Sequence, residues 1–87
     1  MLRITRVQNN RTIDLKLEGK LLADWTGEVQ GQLPHDKAAL GEVRLDLMHV
    51  TFADAAGIAL LRDLMKNGAT IGACSSFVAE LLNARKS

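Results

Sequence analysis

Residues 45–61 read LDLMHVTFADAAGIALL, and the change of period inside this stretch decides the fold. Val43, Leu45 and Leu47 are apolar, and the residues between them, Arg44 and Asp46, are charged. That alternation is the pattern of a half-buried strand. Ile58, Leu61 and Met65 then recur at helical spacing. The spacing predicts a strand over 43–47, a short turn over 50–53 and a helix from about Ala55 to Asn67. Asp54 stands where a side-chain oxygen caps a helix, and Ala55, Ala56 and Gly57 leave its first backbone N–H groups uncovered. Such a helix start attracts anions and partner carbonyls.

Outward from this junction, the upstream chain predicts a hairpin. Leu2 to Val7 reads as a strand and residues 8–11 as a polar turn. Thr12 to Glu18 follows, with Ile13, Leu15 and Leu17 alternating against Asp14, Lys16 and Glu18. Gly19 is expected to break that second strand. Leu22, Trp25, Val29 and Leu33 then predict a helix that ends at Pro34, with Asp24 favourably placed near its start. Gly27 and Gly31 weaken it by up to about 1 kcal/mol each, so Trp25 is expected to hold it in place by packing. Residues 35–42 read as a linker with room for one helical turn. Downstream, Gly68 suits a left-handed helix terminus, and Thr70 to Cys74 reads as a short strand. Ser76 is placed to cap a last helix bearing Phe77, Val78, Leu81 and Leu82, and residues 84–87 are expected to fray.

The order β-β-α-β-α-β-α defines an α/β domain with a small mixed sheet: an antiparallel hairpin followed by parallel strands with right-handed crossovers. Because the strands alternate, only one sheet face is expected to carry helices, and the other to be charged and wet.

Eighty-seven residues make one domain, spanning 1–87. A chain this short buries about 60–65% of its unfolded surface, so modest stability is expected. Trp25, Phe52 and Phe77 are the only aromatic residues, which predicts a core of Leu, Val, Ile and Ala. Eleven Lys and Arg against ten Asp and Glu leave a net charge of +1, a balance that argues against nucleic-acid or membrane-surface binding. The single cysteine, Cys74, has no partner for an internal disulfide and suits a reducing compartment. The N-terminal residues lack an apolar signal core, and no apolar run approaches the ~20 residues of a membrane helix. A cytoplasmic location is the expectation.

No spacing of His, Cys or carboxylates suggests a metal, and no phosphate loop or nucleophile elbow is present, so neither cofactor nor enzymatic activity is expected. His35 reads as a solvated linker residue. His49 follows a strand end, where α/β proteins often bind ligands, but one histidine there reads first as surface. Cys74 reads as a small core residue. Ser75 and Ser76 read as cap and turn residues, and Thr51 as a turn residue that also carries a hydroxyl beside the helix start.

The same central stretch resembles the STAS domain, the family of bacterial anti-sigma-factor antagonists and transporter tails. Members read apolar-D-L-x-x-V-x-F-x-D-S-[SA]-G-apolar here, and Asp46, Leu47, Val50, Phe52, Asp54 and Gly57 match. The resemblance runs from Thr12 through Leu82. Family members usually continue with one more strand and helix, which this chain lacks. The resemblance implies a protein-interaction module that docks a partner through Val50, Thr51, Phe52, Ala53, Asp54, Ala55, Ala56, Gly57 and Ile58. The partner it implies is an anti-sigma, kinase-like protein, in a regulatory partner-switching role. The family's phosphoserine position is Ala56 and the serine before it is Ala55, so the phosphorylation switch does not carry over. Some small STAS proteins are instead cytoplasmic subunits of lipid-type ABC transporters that dock on the ATPase, and a binder of a small apolar ligand is a third reading. With strands in chain order, Thr70 to Cys74 forms an uncharged edge. That edge predicts a homodimer or a β-augmented complex, against a monomer whose last helix covers the strand.

Overall fold

The structure is a computed structural model, and it describes residues 2–34 and 37–83. Strand β1 (Leu2–Asn9) and strand β2 (Thr12–Leu21) form the expected antiparallel hairpin, in register from Leu2 opposite Gly19 to Asn9 opposite Thr12. Asn10 takes the tight turn with φ of 42°, a left-handed conformation that asparagine tolerates better than most residues. Helix α1 (Ala23–Gly31) crosses to a 3-10 segment (Lys37–Glu42) and strand β3 (Val43–Ala53). Helix α2 (Ala55–Lys66), strand β4 (Thr70–Cys74) and helix α3 (Ser76–Asn83) complete the order. The sheet runs β1-β2-β3-β4, with β3 parallel to both β2 and β4. His35 and residues 84–87, read above as solvated and as fraying, lie outside the described residues.

Alternation builds the core. Ile13, Leu15, Leu17 and Leu21 of β2 are buried beside Val43, Leu45, Leu47, Val50 and Ala53 of β3. Val29 of α1, Ile58, Leu60, Leu61 and Leu64 of α2, and Val78 of α3 close over them in one cluster, so the helices share one face. The core is aliphatic, as the composition implies. Trp25 packs against its margin and Cys74 is half-buried there. The other face carries Asp14, Lys16, Arg44 and Asp46.

Several local readings change. Gly19 does not end β2. It adopts φ of 107° at a register irregularity, and the strand continues to Leu21. Helix α1 stops at Gly31, three residues before Pro34, and Val29 is its buried anchor, with Trp25 only half-buried. The expected turn over 50–53 is strand. β3 extends to Ala53 because it carries two bulges against β2. Four β3 residues (Asp46 to His49) lie against three of β2 (Lys16 to Glu18), and three (Val50 to Phe52) lie against two (Gly19 and Lys20). Each bulge inserts one residue, so Leu47, Val50 and Ala53 are buried at a spacing of three. His49 therefore lies within the strand and is exposed, not beyond a strand end. Ser75, not Ser76, caps α3: its Oγ accepts from Val78 N at 3.3 Å, and its carbonyl accepts from Ala79 N at 3.0 Å.

Gly68 does take the left-handed terminus of α2, with φ of 111°. Arg62 of α2 donates to the carbonyl of Leu82, tying α2 to the end of α3. Among the described residues β4 pairs only with β3, and Gly72 is the extra residue of a bulge in that ladder. A bulge kinks an edge strand and is one of the devices that limit edge pairing.

Candidate partner-docking site

The C-terminal ends of β2 and β3 and the N-termini of α1 and α2 meet at Asp54. Its Oδ1 accepts from Gly57 N at 2.8 Å, the expected cap of α2. Its Oδ2 accepts from Ala23 N at 2.9 Å. Ala23 opens α1, whose own capping position, Leu22, has no side-chain acceptor to offer. One carboxylate therefore caps two helices that start 32 residues apart in the chain. The Gly57 and Ala23 N–H groups, in that order, hold the Asp54 carboxyl below its ordinary value of 3.8 against an opposing effect of burial.

The backbone reinforces the junction. Asp54 N donates to the carbonyl of Leu21 at 3.2 Å, which pins the end of β2 to the start of α2. Gly57 packs on that same carbonyl. A Cβ at Gly57 would lie 2.4 Å from Leu21 O and 3.0 Å from Leu21 Cγ. The glycine is there because the first turn of α2 touches the strand backbone.

Around this junction Val50, Ala53, Gly57 and Ile58 are buried, and they shape the surface from below. Thr51, Phe52, Ala55 and Ala56 are exposed, and Asp54 is half-buried. The residues that can touch a partner are therefore a subset of the nine expected from sequence. Phe77, in the first turn of α3, joins them. Its ring stacks on Phe52 with centroids 6.4 Å apart and planes at 28°. Phe52 is 44% exposed and Phe77 42%. Both phenylalanines of the chain thus sit together at the surface while Leu, Val and Ile fill the core. In the sequence Phe77 is grouped with Val78, Leu81 and Leu82 as the apolar residues of the last helix. The second bulge of β3 turns Phe52 outward, and α3 starts where Phe77 can cover one side of it.

The other candidates take structural places. Asp46 Oδ1 accepts from Met48 N at 3.1 Å, which steadies the first bulge of β3. Cys74 Sγ lies 3.4 Å from the Ser75 carbonyl, and burial pushes its thiol pKa up, away from the thiolate. Among the described residues no group of three or more His, Cys, Asp or Glu could hold a metal. No helix among them is long and apolar enough to cross a membrane. A hollow of about 390 Å³ lies on the open sheet face, with Asp14, Lys16, Arg44 and Asp46 among its lining residues.

This geometry is similar to that of solved proteins. The anti-sigma factor antagonist SpoIIAA in its unphosphorylated form aligns with a TM-score of 0.70 at 13% identity, over 93% of this chain and 82% of that one. A STAS domain of an antisigma-factor antagonist from Rhodobacter sphaeroides aligns at 0.62 and 14% identity, over 93% and 94% of the two chains. An uncharacterised protein with a SpoIIAA-like fold from Shewanella loihica aligns at 0.54 and 14% identity, over 95% and 77%. The chain therefore has the STAS, SpoIIAA-like fold. No family model matches the sequence, and no curated protein matches it.

Proposed function

We propose that this STAS-fold chain is a protein-interaction module, not an enzyme, and that it docks a protein partner on the surface formed by Thr51, Phe52, Asp54, Ala55, Ala56 and Phe77. The exposed, stacked Phe52–Phe77 pair beside the α2 start carries the reading. Aromatic side chains dominate interface energetics, and a pair already held in place loses little conformational entropy on binding. Asp54 keeps both helix starts fixed, so the docking surface is formed before the partner arrives. The likeness to two anti-sigma factor antagonists supports an anti-sigma, kinase-like partner.

The test is capture of partners from the native host with the natural protein, Phe52→Ser and Ala55→Glu. A partner retained by the natural protein and lost from both folded variants supports the reading. Equal capture by all three overturns it. Capture of a transporter ATPase in place of a kinase-like protein would keep the surface but move the protein to a transport role.

Ala56 is exposed and has no hydroxyl, so at this position the surface stays permanently in its unmodified form. A kinase from a homologous partner-switching pair is expected not to phosphorylate the natural protein here, and to label Ala56→Ser. Phosphate on the natural protein at Thr51, which is also exposed, would show that the switch has moved and not been lost.

A further inference from the structure

We propose that the open face of the sheet is a contact between two copies of this chain, matched to itself by a checkerboard of charge. Along β2 this face reads Asp14, Lys16, Glu18, and along β3 it reads Arg44, Asp46 and then His49. The register sets Asp14 opposite Arg44, Lys16 opposite Asp46, and Glu18 opposite His49. The four inner charges therefore alternate in sign both along and across the strands, and all four line the shallow hollow of about 390 Å³.

A two-fold axis running along the strands between β2 and β3 lays the β3 column of a second copy over the β2 column of the first. Asp14 then faces Arg44 of the second copy, Lys16 faces Asp46, and Glu18 faces His49. Symmetry repeats each contact in the opposite sense, as a closed dimer requires. A face of one sign would repel its own copy under this operation, whereas a checkerboard is its own complement. The rotation also keeps the two sets of strands aligned, the arrangement that stacked sheets adopt within about 30°.

The size of the face bounds the strength. Four strands about 4.8 Å apart give a face smaller than the ~800 Å² per partner of a stable interface. Exposed ion pairs are also individually weak and screened by salt. The dimer is therefore weak and salt-sensitive. The competing role for these charges is attraction between neighbouring strands of one sheet, which needs no second copy.

Sedimentation of the whole chain separates the two. The natural protein is expected to dimerise at millimolar concentration in low salt and to dissociate as salt is added. Lys16→Glu and Asp46→Lys are each expected to abolish the dimer. An equimolar mixture of the two is expected to restore it as a heterodimer, because each reversed charge then meets the other. Arg44→Glu with Asp14→Lys repeats the exchange on the second pair if one of the first variants fails to fold. A natural protein that stays monomeric overturns the proposal, as does a dimer indifferent to both reversals or a mixture that does not reassociate. A dimer broken by Ile71→Lys but not by Lys16→Glu also overturns it, and places the contact on the β4 edge.

Discussion

Gly57→Ala is expected to destabilise the domain by about 3 kcal/mol, at the upper end for forcing extra volume into a packed site. The new Cβ would meet Leu21 O at 2.4 Å. That oxygen belongs to the backbone of a central strand and already accepts the Asp54 N–H at 3.2 Å. Neither β2 nor α2 can retreat without opening the Asp54 junction. In a domain of this size the loss lowers Tm by very roughly 15 °C. Gly27→Ala supplies the contrast. Gly27 lies inside α1, and a Cβ there would meet nothing within 4 Å. That substitution is expected to stabilise by about 0.5–1 kcal/mol, because alanine loses less backbone freedom in a helix. Thermal unfolding of the two variants, measured side by side, checks the opposite signs. Gly57→Ala melting with the natural protein would mean that α2 does not approach β2 as described.

Asp54→Ala removes the acceptor of two helix starts at once and is expected to lower Tm by roughly 5–10 °C. The effect should exceed that of Asp24→Ala, a first-turn carboxylate of α1 that acts on the helix dipole alone. Acid supplies an independent check. The folded-state pKa of Asp54 is depressed, so the unfolded chain takes up its proton first as pH falls. The stabilisation is complete above the ordinary value near 3.8, and it is lost as pH drops through the lower folded value. Denaturant unfolding at neutral pH and in that acid range should show the gap between natural protein and Asp54→Ala narrowing in acid. A gap that is constant with pH would mean that the ionised carboxylate is not what holds the helices.

These residues show where sequence reading reaches and where it stops. The alternation of Ile13, Leu15 and Leu17, and of Val43, Leu45 and Leu47, marks the buried face directly because regular strands have a period of two. Past Leu47 the period becomes three, since each bulge adds one residue on the exposed side. That spacing imitates the end of a strand, which is why residues 50–53 read as a turn and His49 as lying past the strand end. Asp54 is recognisable as the cap of the helix that follows it, because that bond is local. Its bond to Ala23 joins residues 31 apart and depends on β2 and β3 ending side by side. The Phe52–Phe77 stack has the same character. Two aromatics 25 residues apart carry no joint signal in the chain, and the pair exists only once β3 and β4 are parallel neighbours. Gly57 stands out as a motif residue, but its reason, a strand carbonyl underneath it, is tertiary.

The central claim is that Phe52, Phe77 and the start of α2 form a ready-made surface for a protein partner. Titration calorimetry of the purified partner against the natural protein, Phe52→Ser and Ala55→Glu tests it most directly. Each variant's fold is checked by its Tm. Loss of an aromatic anchor at an interface centre commonly costs 2 kcal/mol or more, so Phe52→Ser is expected to weaken Kd by about 30-fold. Ala55→Glu, which adds a charge on the same exposed turn without opposing the helix dipole, is expected to weaken it as well. Full affinity in both folded variants would contradict the claim and place the partner on another surface.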